Sequence, residues 1–293
     1  MKRFEALRWA ADFLKKHHRD ENIGELLLRH RLGVTRTDLF SDIQEGLPES
    51  DAAWLKERVR EHALFGTPVQ YMIGRVSFYG RSFKVTPNVL IPRPETEELV
   101  YRTGIWAERY FPESRSLAVC DIGCGSGAIA VTLALEHPKW RVSAVDISER
   151  ALAVAEENAK NLGARIDFYR GDLLDPLVGR TFDVLVSNPP YITRSEMDEL
   201  SDTVKNYEPR LALFGGADGL DFYRRILEAV PGVIGSAPFF LMAFEIGAAQ
   251  GRPVASLIRN AFTDRIETLT VEQDVSGYDR NVMAVIRTDR KLP

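Results

Sequence analysis

The sequence predicts a doubly wound α/β domain whose seven-stranded sheet is mostly parallel. A small N-terminal helical bundle precedes it, and a linking β-hairpin joins the two. Three observations carry this. From Leu117 onward, apolar strand-like runs alternate with helix-period segments across short connections. The first such strand runs into a glycine-rich turn, Asp121-Ile122-Gly123-Cys124-Gly125-Ser126-Gly127-Ala128, that opens a helix. Up to residue 66 the apolar spacing is helical, and between Tyr71 and Val85 it changes to an aromatic and β-branched pattern. The expected boundaries are 1–66 for the helical unit, 67–93 for the hairpin linker and 94–293 for the main domain.

In chain order, Phe4, Leu7, Ala11 and Leu14 lie on one face of a first helix whose last turn carries Lys15, Lys16 and His17. A second helix runs through Ile23, Leu26, Leu27 and His30 and stops at Gly33. Thr35-Arg36-Thr37-Asp38 fits a capping box opening a third. Pro48-Glu49-Ser50-Asp51 opens a fourth, which bears Trp54, Leu55, Val59 and Leu64 and ends at Gly66. The hairpin is read over Tyr71–Val85 with a turn at Tyr79-Gly80-Arg81-Ser82. After Pro94 the acidic residues suit the first turn of a helix reaching about Tyr110. Strands are expected at 117–122, 141–146, 165–169, 182–187, 238–245, 265–272 and 281–287, with helices at about 127–137, 149–162, 219–230 and 250–262. No helical pattern separates the last two strands, so they are expected to pair antiparallel.

Composition narrows the function classes. A chain of 293 residues can bury a sizeable core. Charges occur throughout the first twenty residues, and the longest apolar run, near Ala237–Phe244, is strand-sized, so a soluble protein without signal peptide or membrane span is expected. Cys120 and Cys124 have no further Cys or His at ligand spacing, which predicts reduced thiols, no metal site and a cytoplasmic location. The net charge of −4 argues against a protein that wraps nucleic acid through its phosphates, so no direct nucleic-acid binding is expected. Residues 1–94 hold 16 Lys+Arg against 12 Asp+Glu, whereas the remainder holds 22 against 30. Solvated helix faces account for such an asymmetry, and so does a docking surface for an acidic partner.

The chemistry lies at the strand ends. The glycine turn lets a ligand approach the unpaired N–H groups of a helix start, and by itself it indicates a nucleotide-like cofactor. Asp121, just before the first glycine, suits a cationic ligand better than a pyrophosphate. Asp146 ends the second strand, where it can accept both hydroxyls of a ribose, while Ser148 is the better helix cap. Asp172 follows the third strand, placed to accept from the exocyclic amine of an adenine, with Leu173 against the ring. The fourth strand, Val184–Ser187, stops in Asn188-Pro189-Pro190-Tyr191. The two prolines lack N–H donors and fix φ, so they produce a stiff loop carrying one amide and one flat aromatic face.

With these four strand ends the sequence resembles the class I S-adenosylmethionine-dependent methyltransferases, which are Rossmann-like. Within them it is similar to the group that methylates planar nitrogens, whose signature is Asn/Asp-Pro-Pro-Tyr/Phe/Trp. Gly66–Tyr71, Leu90–Glu97, Gly215-Gly216-Ala217-Asp218-Gly219-Leu220 and Asp279-Arg280 flank the central motifs in an order resembling the protein-(glutamine-N5) methyltransferases of peptide-chain release factors. The resemblance spans nearly the whole chain. It implies methyl transfer from S-adenosyl-L-methionine to the glutamine amide nitrogen of the Gly-Gly-Gln motif in class I peptide-chain release factors, held by the helical domain. By position it assigns Gly123, Cys124, Gly125, Ser126, Gly127, Asp146 and Leu173 to the cofactor, beside Asp121 and Asp172. It assigns Asn188 to both cofactor and substrate, and Pro189, Pro190 and Tyr191 to the glutamine pocket, with Asn188, Pro189 and Tyr191 as the catalytic set. His62-Ala63 stands where a more basic pair is expected. The alternative is an amino methyltransferase acting on adenine N6 or guanine N2 in nucleic acid, which uses the same loop but usually carries a basic target-recognition domain. An NAD-dependent oxidoreductase leaves Asn-Pro-Pro-Tyr and Asp172 unexplained, and a non-catalytic binding module has little use for an intact cofactor site.

Overall fold

The computed structural model describes residues 1–113 and 115–288; Ser114 and the end of the expected 94–293 domain lie outside the described residues. By compactness the chain divides into Met1–Arg75 together with Ser201–Tyr207, and Val76–Leu200 together with the chain from Glu208 onward. This division falls after Arg75 rather than at 66, and the first unit takes in a short segment from far along the chain.

The first unit is helical: α1 (Arg3–Lys16), α2 (Ile23–Leu32), α3 (Arg36–Ser41), α4 (Glu49–Phe65) and α5 (Val69–Ile73). Ala6, Ala10, Leu14, Leu27, Leu28, Leu39, Leu55 and Val59 form its buried core, at the helical spacing seen in the sequence. Small residues bring α1 and α2 close together, since a Cβ on Gly24 would sit 2.6 Å from that of Ala10. The Thr35–Asp38 capping box is present in both directions, with N–H to side-chain distances of 3.2 and 3.1 Å. Gly66 closes α4 at φ +79°, where a side chain would also collide with the Asp202 carboxylate. Asp202 belongs to a short helix, α10 (Asp202–Lys205), of the returning segment, and both its carboxylate oxygens accept from the Arg19 guanidinium. In the same segment Tyr207 donates its hydroxyl to the Phe65 carbonyl at 2.8 Å.

The expected hairpin is shorter than its pattern. Pro68 starts α5, which takes Tyr71–Ile73 into a helical turn closed by Gly74 at φ +77°. Only β1 (Arg75–Phe78) and β2 (Arg81–Lys84) are strands, joined through Tyr79 and Gly80 at φ +50° and +71°. This is the two-residue turn with both φ positive that suits the strand twist. Phe78 and Phe83 meet edge to face at 5.8 Å and are fully buried in the core of the second unit, which explains why the strands hold there instead of running as a free linker.

That unit opens with α6 (Glu95–Tyr110), and its sheet comprises β3 (Ala118–Ile122), β4 (Arg141–Asp146), β5 (Ile166–Arg170), β6 (Val184–Ser187), β7 (Phe239–Glu245), β8 (Ile266–Gln273) and β9 (Asp279–Arg287). The spatial order is β5-β4-β3-β6-β7-β9-β8, parallel throughout except for β9, which runs antiparallel to both neighbours. The seven strands and the antiparallel final pair agree with expectation. Alternate residues of each strand feed opposite layers. Val119, Val184, Val186 and Leu241 pack under α6, α7 (Ala128–Glu136) and α8 (Glu149–Leu162). Cys120, Leu185, Phe240 and Phe244 pack against α11 (Asp221–Ala229) and α12 (Gly251–Phe262). Both sheet faces are thus covered, which is why the strands read as continuous apolar runs. Between β6 and α11 lies α9 (Arg194–Glu199), opened by a Thr193–Glu196 capping box.

Candidate active site

Four adjacent parallel strands, β5, β4, β3 and β6, end along one edge of the sheet, and Asp121–Gly127, Asp146, Asp172-Leu173 and Asn188–Tyr191 lie at or just beyond those ends. Gly123 and Cys124 donate their N–H groups to the Val145 carbonyl at 2.8 and 3.0 Å, which folds the loop over the end of β4. Gly123, Gly125 and Gly127 have φ of +72°, +55° and +78°. At Gly127 a Cβ would press on Ala155 of α8 at 3.0 Å; at Gly123 and Gly125 it would meet nothing within 4 Å. Gly127 therefore serves packing, whereas the first two glycines leave an open face for a ligand.

Asp146 holds this loop. Its two oxygens accept from Gly125 N–H at 2.9 Å and Ser148 N–H at 2.8 Å, and burial raises its pKa against those bonds. Ser148 caps α8 through Ala151 N–H. The Asp121 carboxylate is fully buried beneath α7. One oxygen accepts Ala130 N–H at 3.1 Å and the other has no partner, and burial pushes its pKa up to about 7. Ser126 and Cys124 are buried, the Ser126 carbonyl accepting from Asn158 at 2.9 Å. Both cysteines are buried and unbonded to one another, and burial raises both thiols well above the ordinary range. Asp172 faces Arg225 of α11 at 2.7 Å near the surface, and Leu173 beside it takes a positive φ of +49°. Asp172 is therefore engaged by a cation, although it stands at the expected strand end.

The Asn-Pro-Pro-Tyr loop is clamped from below. Ser187 Oγ donates to the Ile122 carbonyl at 2.7 Å and ties the end of β6 to β3. Ile192 N–H donates to the Leu213 carbonyl and Gly215 N–H to the Ile192 carbonyl, each at 2.9 Å. A Cβ on Gly215 would lie 2.6 Å from the Pro190 carbonyl oxygen, and one on Gly219 would lie 2.2 Å from that of Tyr191. The Gly-Gly-Ala-Asp-Gly-Leu stretch is thus a backbone cradle for the loop. Gln250 completes it, donating to the Tyr191 carbonyl at 2.9 Å and accepting Gly247 N–H at 3.0 Å. Pro189 is buried, and Asn188, Pro190 and Tyr191 are half-buried. Burial pushes the Tyr191 hydroxyl up to about 12, so it stays protonated at neutral pH. A cleft of about 440 Å³ opens beside it, lined by Tyr191, Glu196, Gly247, Gln250 and Arg280.

Beneath the loop are groups the sequence reading missed. The Asn188 amide donates to Thr96 Oγ1 at 3.3 Å, and Thr96 lies in the first turn of α6. Glu245, at the end of β7, is buried alongside. Burial raises its carboxyl to about 7 against hydrogen bonds from Thr96 and Asn188 and the Arg280 charge. The signal for Glu245 was present as an acid closing an apolar strand, the same pattern as Asp146 and Asp121. For Gln250, a polar residue heading a helix, sequence offers no comparable sign.

A family model described as the methyltransferase small domain matches residues 108–206, and one described as the PrmC N-terminal domain matches residues 5–74. The chain is 48% identical to the release factor glutamine methyltransferase of Bacillus cereus over 97% of its length and 99% of the relative's. The relative of the same name from Bacillus subtilis is 47% identical over 98% and 99%. This chain belongs to the release factor glutamine methyltransferases. Among solved structures the hMettl16 catalytic domain, in complex with the MAT2A 3′UTR hairpin 6, aligns with a TM-score of 0.53 at 14% identity over 84% of each chain, a likeness of fold alone. In this release factor glutamine methyltransferase the Asn188–Tyr191 loop is held by the backbone of Gly215 and Gly219 and by Gln250. Among the described residues no group of three His, Cys, Asp or Glu could hold a metal ion, and no helix is long and apolar enough to cross a membrane.

Proposed function

We propose that the enzyme transfers the methyl group of S-adenosyl-L-methionine to the side-chain amide nitrogen of the glutamine in the Gly-Gly-Gln motif of class I peptide-chain release factors, in the cytoplasm. The observation that carries this reading is the rigid Asn188–Tyr191 loop on β6, one strand away from a glycine turn with an open face. The residues at that turn fit the cofactor. Gly123 and Gly125 leave room for its methionine portion, the unpartnered Asp121 oxygen suits a cationic ammonium group nearby, and Asp146 retains lone pairs for ribose hydroxyls. Asp172 would reach an adenine amine by sharing its carboxylate with Arg225. When bound, the cofactor supplies a methyl group on a positively charged sulfur.

An amide nitrogen is a poor nucleophile because its lone pair is delocalised into the carbonyl. Asn188 Oδ1 and the Pro189 carbonyl accept its two N–H groups, which aims the nitrogen and stabilises positive charge as it develops there. Tyr191 and Pro190 flank the flat amide and exclude water. The alkylated nitrogen is strongly acidic, so its proton leaves without a dedicated base. Residues 1–66 hold the release factor.

The test incubates the protein with labelled S-adenosylmethionine and a release factor, either wild type or with the loop glutamine replaced. Label should enter only the wild-type factor. Equal labelling of both, or labelling of added RNA or DNA in their place, would overturn the reading. In the same preparation S-adenosylhomocysteine should raise the melting temperature and NAD should not.

A further inference from the structure

Asn188 can present either end of its amide to the substrate, and only one is useful. With Oδ1 outward it accepts the substrate N–H; with the NH2 outward it opposes that N–H donor to donor. Pro-Pro stiffness fixes the backbone but not this rotation. Something beneath must choose.

In the β6–β7 register Ser187 pairs with Phe244, so Asn188 and Glu245 are the next residues along on neighbouring parallel strands. Glu245 is 2% exposed, and one of its carboxylate oxygens has no hydrogen-bond partner. Thr96, 5% exposed, contacts both: Asn188 Nδ2 donates to its Oγ1 at 3.3 Å, its hydroxyl donates to Glu245, and Glu245 also accepts from the Asn188 amide. An ionised carboxylate only accepts. It therefore makes Thr96 a donor below and an acceptor above, and Asn188 must turn its NH2 downward.

The geometry points to Glu245 as a positioning residue that, by its own contact with Asn188 and through Thr96, holds the Asn188 amide with its oxygen toward the substrate glutamine. This rests on the glutamine reading above. A protonated Glu245 reverses the chain, because it can donate to Thr96, which then donates to Asn188 Oδ1 and turns the NH2 outward. The charged and titratable groups around Glu245 are Glu95 from the start of α6, Arg280 from β9 and Tyr191 from the loop, while Tyr223 of α11 donates to the Glu245 backbone carbonyl at 2.7 Å. Only the Arg280 cation among them favours the ionised state.

The experiment compares wild type, Glu245→Gln and Thr96→Val on the full chain with release factor as substrate. Both variants should lower kcat by about tenfold to a hundredfold, the scale on which residues that orient a reacting group act. The S-adenosylhomocysteine dissociation constant should stay within about twofold of wild type. Wild-type kcat should fall as pH drops through about 7, and that limb should vanish in Glu245→Gln. In an Asn188→Asp background, where there is no amide end to choose, Glu245→Gln should cost no further activity. Full kcat in both variants, or an equal loss from Glu245→Gln in the Asn188→Asp background, would overturn the inference. If Glu245→Gln does not fold, Thr96→Val carries the same comparison. Wild type that fails to label the glutamine refutes the reading beneath; wild type that labels it alongside unaffected variants refutes only this inference.

Discussion

At the scale of single residues, the proposed mechanism separates holding the cofactor from aiming the nitrogen, and the separation is measurable. Asn188→Ala should lower kcat by about a hundredfold or more while leaving most cofactor affinity, because its acceptor matters most as charge develops. Asp146→Ala should do the reverse. It removes a carboxylate that also fixes Gly125 and Ser148 N–H, so cofactor dissociation constants should rise by about tenfold to a hundredfold. Equilibrium binding of S-adenosylhomocysteine beside steady-state rates distinguishes the two. Asp121 bears on stability. Its carboxyl is raised from 3.8 to about 7 by burial, so the folded state keeps a proton that the unfolded chain has lost, and stability falls as pH rises across that window. Asp121→Asn lacks this slope. Denaturant unfolding should show its stability relative to wild type rising between pH 4 and 7, on the order of a few kcal/mol, and levelling above. The strand-end acids were legible where a glycine turn or a loop motif marked them. Glu245 gave the same signal, an acid closing an apolar run, but no motif beside it drew that signal into the site.

At the scale of elements, the Asn-Pro-Pro-Tyr loop is only as rigid as the cradle beneath it. Gly219 has φ +74° and faces the Tyr191 carbonyl oxygen, so Gly219→Ala imposes both backbone strain and a steric clash. It should destabilise the protein by about 1–3 kcal/mol and depress kcat more than cofactor affinity, as read by thermal unfolding and single-turnover rates. An alanine variant with unchanged kcat would mean that the loop does not depend on this support. Strands and their order were readable because both faces of the sheet are covered, leaving unbroken Val, Leu, Ile and Phe runs between turns. Short helices were harder. The aromatic stretch Tyr71-Met72-Ile73 looks like a strand locally, but Pro68 and Gly74 bracket it into one helical turn. α9 drew no expectation from sequence, although Thr193 and Glu196 form its capping box.

At the scale of the whole molecule, the chain passes between its two units three times, after Arg75, after Leu200 and after Tyr207. Neither the passage nor the Arg19–Asp202 pair could be read from sequence, since 183 residues separate the partners and nothing local marks them. Asp202 is about half exposed, so Asp202→Ala should change global stability by less than about 1 kcal/mol. Its effect should be local: amide exchange in residues 201–207 should quicken while the sheet stays protected. Arg19 holds the Asp202 carboxyl down to about 2, so this stabilisation is complete above the usual carboxylate range and lost as pH falls toward 2. The returning segment also bears on how the protein is made. The first helices leave the ribosome long before Asp202 and Tyr207, some 125 residues later, which at common translation rates is about 6 to 25 s. For that interval α1 to α5 exist without the side chains that close them, and the four strands β3 to β6 have emerged before they arrive. The N-terminal unit is thus first in the message but is completed only after β3 to β6 of the other unit have been made.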